Sequence, residues 1–386
     1  MHGGQGEWHV SKQRLRWDVL DEFEKACVAA GIPRTSDFNT GNNFGVGAFE
    51  VNQRDGYRLT AYDAFLSELP ENVTLETGKT VHQLIFERKK CTGVRLTDGS
   101  QRMLGASDSC EVVLSAGSIG SPQILELSGI GSKKVLDSIG VDCIVDNACV
   151  GENLQDHLQM RHVFSVKNIP TLNTDIRSPL KLARIAYQWF RYRGGPLSMA
   201  PSQLGAFCST DNNPEMERPN VEYHVQPLSL DAFGEPLHRI DAFTAAICNL
   251  RPKSRGSVHV QSRRVNDAPR IQLNYLSDAE DRATARASIK LTRRIASHFD
   301  PQYEATEVYP GITAEEDLDV AAGKIGTTIF HPAGTCAMGK VTDSNGRVLG
   351  VSNLRVCDAS IMPRITSGNT CSPTLMIGEK IAKSME

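Results

Sequence analysis

The sequence predicts a mixed chain, part α/β and part α+β, built as two units that interleave along the polypeptide. Three observations predict it. A buried β-type run at 111–114 passes straight into a glycine-containing loop and then a helix, the strand–loop–helix step of an α/β layer. Short β-type runs separated by polar turns come before it, as in an antiparallel layer. A long central stretch, 158–324, alternates amphipathic helical segments with strand-like runs, the pattern of helices backing a sheet. At 386 residues the chain is long for one core, and two or three structural units are expected.

The elements follow in order. Residues 12–31 place Leu15, Val19, Leu20, Phe23, Ala26 and Cys27 at helical spacing, with Gly31 at a natural stop. The Asn-, Asp- and Gly-rich stretch 35–57 reads as loop with a short strand around 48–51. Runs at 73–75, 81–86, 92–96 and 111–114 read as strands, with a turn at Asp98-Gly99. The next helix should take Ser121 as its cap and Pro122 as its first residue. Helices are expected at 180–192 and 279–299, and strands at 221–228, 257–260 and 353–357. A final helix should span 373–385, with Ser372 as cap and Pro373 as first residue.

Composition narrows the function classes. The chain is 40% hydrophobic and 23% charged, an ordinary globular balance, with a net charge of −3. That gives no electrostatic case for a nucleic-acid partner. Lys181, Arg184, Arg191 and Arg193 form a local basic patch, ordinarily a solvated helix face. No run approaches the roughly 18–20 apolar residues of a membrane span, and the first residues lack the apolar core of a signal peptide. The expected address is the cytoplasm, with peripheral attachment to a membrane left open. Ten scattered cysteines without a CxxC pair, and histidines without HxH or HExxH spacing, argue against a metal site and a disulfide scaffold.

Three blocks carry more than composition: VVLSAGSIGSPQILELSGIG at 112–131, VGENLQDH at 150–157, and the stretch from His331 to Lys380, beginning HPAGTCAMG and containing VCDASIMP and SGNTCSPT. Together with SDFNTGNNFGVGAFE and NLRPKSRGSV, they resemble the glucose–methanol–choline (GMC) oxidoreductases, in particular the bacterial, choline-dehydrogenase-like branch. The resemblance implies an FAD-binding domain of Rossmann-like, GMC type with an antiparallel-sheet substrate-binding domain. It implies FAD as cofactor, a small-molecule alcohol as substrate, and an electron acceptor that is a quinone, another carrier or oxygen.

It also implies roles for particular residues. Oxidising an alcohol requires removal of a hydroxyl proton and of a hydride from the same carbon, and a histidine is the usual proton acceptor. His331 matches the family's catalytic histidine, and Asn369 its second polar residue, which steadies the substrate oxygen. Thr370 and Cys371 match backbone contacts to the flavin ring at a helix N-terminus. Asp358 and Ala359 match a contact to the flavin chain near the pyrophosphate, and Val81 one to the adenine. Ala116 and Gly117 stand beside the adenosine half. His157 reads as structural, and Met338 and Met362 as packing.

One family feature is missing. No strand–GxGxxG–helix fingerprint is present: GVGAFE at Gly45 lacks the third glycine, and SGIG at Ser128 ends a helix. The expectation is therefore an N-terminally truncated member whose first βαβ unit is absent, leaving an incomplete FAD-binding domain. A non-catalytic fragment unable to bind FAD alone, an oxygen-using alcohol oxidase, and an enzyme completed by an N-terminal segment in trans remain as alternatives. The expected organisation is 1–57 as a connecting region supporting the substrate domain, 58–157 with 325–386 as the remaining FAD-binding domain, and 158–324 as the substrate-binding domain.

Overall fold

The computed structural model describes residues 3–107, 109–215, 218–232, 234–311 and 317–385. The chain divides into two compact units. The first combines Met1–Thr74, Leu158–Asn249 and Arg282–Thr327, and the second Leu75–His157, Leu250–Asp281 and Thr328–Glu386.

The first unit is built on an antiparallel sheet. Its strands run in the order Gly45–Ala48, Leu204–Cys208, Val221–Gln226, Ala242–Asn249, Leu158–Ser165 and Thr306–Tyr309. Register sets the faces, because side chains alternate across a strand. Met160, Ile247 and Tyr223 lie in one row, and His162, Ala245 and Val225 in the next on the same face. The helices Asp18–Ala29 and Ala279–Ala296 cover that face. Phe23 sits 5.8 Å from the Tyr223 ring and 6.0 Å from Phe243, and the Tyr223 hydroxyl meets Thr292 at 2.8 Å.

Residues 1–57, expected to connect and to support the substrate domain, contribute to the core and the sheet of this unit. Phe23 is fully buried in the aromatic core, and Gly45–Ala48 is hydrogen-bonded to Leu204–Cys208. The short strand lies earlier than the expected 48–51, and 58–74 belong to this unit as well. The expected strand at 73–75 does not form. Val73 and Leu75 are exposed, and the Val73 N–H closes a local turn onto Pro70.

The opposite face of the sheet carries polar groups. Glu222 and Cys248 are register partners, and with His224 they bring one ligand atom each within 4.8 Å of one another, all buried. Sequence spacing gave no metal-type cluster, because this one assembles across two strands 26 positions apart.

The second unit holds the antiparallel strands Val81–Glu87, Lys90–Leu96 and Gln101–Met103, and a parallel pair, Val112–Leu114 with Leu354–Val356. Leu84, Leu125, Ile130, Val356, Ile377 and Ile381 share its core. Residues 250–281, expected with the central stretch, belong here. His259 lies between the carboxylates of Glu126 and Glu152, at 2.7 and 3.0 Å, and Leu154 and Gly256 exchange backbone hydrogen bonds. Glu126 is fully buried, so this partner fixes the segment.

Two helix starts differ from expectation. The first helix runs Gly117–Leu127, with Pro122 inside it rather than at its head. Proline lacks the N–H that would reach the Ser118 carbonyl four residues back. The Thr335 hydroxyl donates to that carbonyl at 2.7 Å instead, so the helix tolerates the proline. The last helix runs Cys371–Lys383, and Ser372 is not its cap. The Thr374 N–H reaches the Thr370 carbonyl at 3.0 Å, which places Pro373 in the first turn, where no intrahelical N–H is needed. Among the described residues no helix is long and apolar enough to cross a membrane.

Burial of His162 makes the first unit sensitive to acid. Desolvation pushes its imidazole from the ordinary 6.5 down to about 4. As pH falls, the unfolded chain takes up the proton first. The stability held by the neutral ring is intact above 6.5 and is lost as pH falls from there toward 4, on the order of 3 kcal/mol in all. Thermal melts between pH 7 and 4 should fall less steeply in His162→Leu than in the wild type. Parallel curves would remove His162 as the titrating group.

Candidate active site

The second and third sequence blocks meet as a short antiparallel zipper. Gln155 and Ala333 exchange two backbone hydrogen bonds, at 2.9 and 2.8 Å, and the Ile329 N–H reaches the His157 carbonyl at 3.2 Å. The close approach depends on Gly334, whose φ is +94° and where a Cβ would lie 2.7 Å from the Asn153 carbonyl.

Asp156 locks the crossing. One carboxylate oxygen accepts from the backbone N–H of His157 and of His331, each at 2.9 Å. The other accepts from the Thr328 hydroxyl at 2.5 Å and from the Tyr275 phenol. A buried carboxylate needs such donors, and Asp156 is 5% exposed with four of them. Burial, and then the Asp156 charge, push the Tyr275 phenol well above its ordinary range, so it remains a donor. Phe330, immediately before His331, is held at φ +64°, a left-handed conformation that is strained for a bulky side chain.

These constraints aim one imidazole. His331 is 8% exposed. Its Nδ1 lies 3.0 Å from Nδ1 of the fully buried His157, whose Nε2 lies 3.2 Å from the Leu250 carbonyl. Its Nε2 lies 3.5 Å from the Asn369 amide nitrogen. Both groups line a cavity of about 380 Å³. Thr370, Cys371 and Thr374 complete the polar side, and Ile329, Phe330 and Leu375 the apolar one. The helix Cys371–Lys383 presents its N-terminus here, and no side chain caps it. Its first N–H groups and positive dipole end suit an anion.

A second group of expected residues gathers at the other long helix. Asp358 accepts from the Gly117 N–H at 2.9 Å, the Ser121 hydroxyl at 2.5 Å and the Ser360 N–H at 2.8 Å. Its carboxylate is therefore committed to protein donors and serves as the cap that Ser121 was expected to be. Gly117 has φ +76° with open space where a Cβ would stand, and Ala116 beside it is exposed. The Ala359 carbonyl accepts from the Gly334 N–H at 3.2 Å, and the Ser118 hydroxyl donates to the Pro332 carbonyl at 2.8 Å. This group is thus tied to the loop that carries His331. Val81 opens the strand Val81–Glu87, half-buried against the core, and joins neither group. Sequence reasoning passed over Asp156, Thr328 and Tyr275. The first lies inside the VGENLQDH block, but the other two carry no local signal.

The GMC oxidoreductase description matches residues 6–159 and 252–378. An alcohol dehydrogenase [acceptor] of Pseudomonas putida is 35% identical over 405 residues, covering 99% of this chain and 71% of that protein. The chain belongs to the GMC oxidoreductase family. An oxygen-dependent choline dehydrogenase of Citrobacter koseri is 34% identical, over 100% of this chain and 70% of its own length. Pyridoxine 4-oxidase from Mesorbium loti superposes with a TM-score of 0.84 at 28% identity, over 99% of this chain and 72% of that one. Formate oxidase does so at 0.90, with 24% identity and coverage of 99% and 73%, a likeness of fold. GMC oxidoreductases are enzymes and work with FAD.

If Asp156 holds the crossing, Asp156→Ala strands two buried backbone N–H groups and two hydroxyls. The expected loss is about 3–5 kcal/mol, read as a lower urea midpoint at unchanged slope. An unchanged midpoint would show that the GMC crossing is held by other contacts.

Proposed function

We propose that this chain oxidises an uncharged primary alcohol to the carbonyl, with His331 removing the hydroxyl proton and Asn369 holding the hydroxyl oxygen. The observation that carries this reading is the 3.5 Å separation of His331 Nε2 and Asn369 Nδ2 on one cavity wall. One alcohol oxygen can lie about 2.8–3.0 Å from both atoms at once. His331 then accepts the proton at Nε2, while the Asn369 N–H stabilises the developing negative charge on oxygen.

FAD, when bound, supplies the acceptor for the hydride that leaves the same carbon. The residues present fit one end of it. The uncapped start of Cys371–Lys383 would bring the N–H groups at Thr370 and Cys371 to the electron-rich edge of the ring. Gly117 and Ala116 would offer open backbone to the rest of the cofactor, and Ala359 would meet it through backbone, since the Asp358 carboxylate is already taken. Val81 would serve the adenine end.

The lining of the cavity favours an uncharged substrate. Ile329, Phe330 and Leu375 give apolar surface, and among the described lining residues no carboxylate stands to pair with a quaternary ammonium. The electron acceptor we propose is a quinone or another carrier; the P. putida relative is named for an acceptor without further specification.

The chain reconstituted with FAD should absorb near 450 nm and bleach when mixed without oxygen with a short primary alcohol. His331→Ala should slow that bleaching by about 10²–10⁴-fold and Asn369→Ala by about 10²-fold. Equal rates for the wild type and His331→Ala would remove the base. Faster bleaching by choline than by the uncharged alcohol would overturn the substrate class, and turnover on oxygen at the rate of a quinone analogue would overturn the acceptor.

A further inference from the structure

We infer that His157 is a positioning residue that fixes the tautomer of His331, so that its lone pair faces the alcohol. The inference rests on His331 being the base and explains why only one of its two nitrogens can act.

Hydrogen-bond polarity decides the argument. The Leu250 carbonyl can only accept, so His157 must carry a proton on Nε2, 3.2 Å away. In a neutral imidazole the other nitrogen is then an acceptor, which makes Nδ1 of His157 a lone pair. That lone pair lies 3.0 Å from Nδ1 of His331, which must therefore be the N–H. The remaining nitrogen of a neutral His331, Nε2, carries its lone pair toward Asn369 and the cavity. The Asn369 amide is itself a donor, consistent with an acceptor at that position. Polarity is thus passed from a main-chain carbonyl through two imidazoles to the reacting atom.

The fold enforces each link. His157 is fully buried, and His331 is held at its backbone by Asp156, the same carboxylate that receives the His157 N–H. The rings meet nearly edge to face, 5.2 Å between centroids at 83°. The opposite tautomer of His331 would set two lone pairs against each other at 3.0 Å inside the protein, unless His157 gave up its bond to Leu250. A third group that orients the general base by bonding its far nitrogen is a recurring device in base catalysis. Here that group is a second histidine instead of a carboxylate.

Two substitutions separate positioning from packing. His157→Gln keeps a donor for the Leu250 carbonyl but removes the acceptor beside His331. His157→Asn can place its carboxamide oxygen where Nδ1 stood. Long-range proton–nitrogen NMR on the full chain labelled at histidine, with His331 assigned by its loss in His331→Ala, reads the tautomer without turnover. The wild type and His157→Asn should show His331 protonated at Nδ1, and His157→Gln a shift toward Nε2. With FAD and alcohol, kcat should fall about 10²-fold or more in His157→Gln, as expected for a base held in the wrong tautomer, with KM little changed. His157→Asn should recover at least about a tenth of the wild-type kcat.

An unchanged His331 tautomer in His157→Gln overturns the positioning role, and so does an equal loss of kcat in both variants. Full activity in His331→Ala would instead sink the base and leave the tautomer result standing by itself.

Discussion

The buried carboxylate of Asp156 is the constraint on which the site depends. It gathers two backbone N–H groups and two hydroxyls from three separate stretches of the second unit: 156–157, 275 and 328–331. A charge removed from water requires donors, and two of these, the Thr328 hydroxyl and the His331 N–H, lie on the loop that carries His331. Satisfying the carboxylate and placing the imidazole are therefore one event. The strained backbone at Phe330 is tolerated because the residues on either side of it are pinned.

The same logic recurs at the Gly117–Leu127 helix. Pro122 leaves the Ser118 carbonyl without its intrahelical partner, and Thr335 fills the gap from the loop that follows His331. Asp358 caps the helix from the opposite end of the sequence. Each apparent defect in the helix is the place where another segment of the candidate site attaches. The HPAGT loop is held from three sides, by Asp156, by Thr335 with Ser118, and by the backbone exchange with Gln155. An imidazole held this firmly need not search for its orientation, which is how enclosed sites keep their reorganisation cost low.

Much of the fold was legible because its signals are local. The amphipathic spacing of Val19, Leu20, Phe23 and Cys27, the alternation in 81–96, and the order of the motif blocks lie within short windows. Errors came where a distant segment supplied the missing piece. Pro122 looks like a helix start only until Thr335 is beside it. Residues 250–281 look like part of the central stretch until His259 is found between Glu126 and Glu152. How residues 1–57 support the sheet shows only when Phe23 is seen inside the aromatic core. The cluster of Glu222, His224 and Cys248 has no spacing to read, because register across two strands creates it.

For the site, the sequence by itself determined the family, the chemistry it performs, and the candidacy of His331 and Asn369, since ordered motifs survive in the linear text. It could not show that they share one cavity wall at 3.5 Å, or that Val81 stands apart from the others. Nor could it raise His157 from filler to partner. The polarity of a histidine is set by what its two nitrogens meet, and those partners lie 93 and 174 positions away. Only the folded chain brings Leu250, His157, His331 and Asn369 into line, because hydrogen-bond direction is a property of neighbours in space and not of neighbours in sequence.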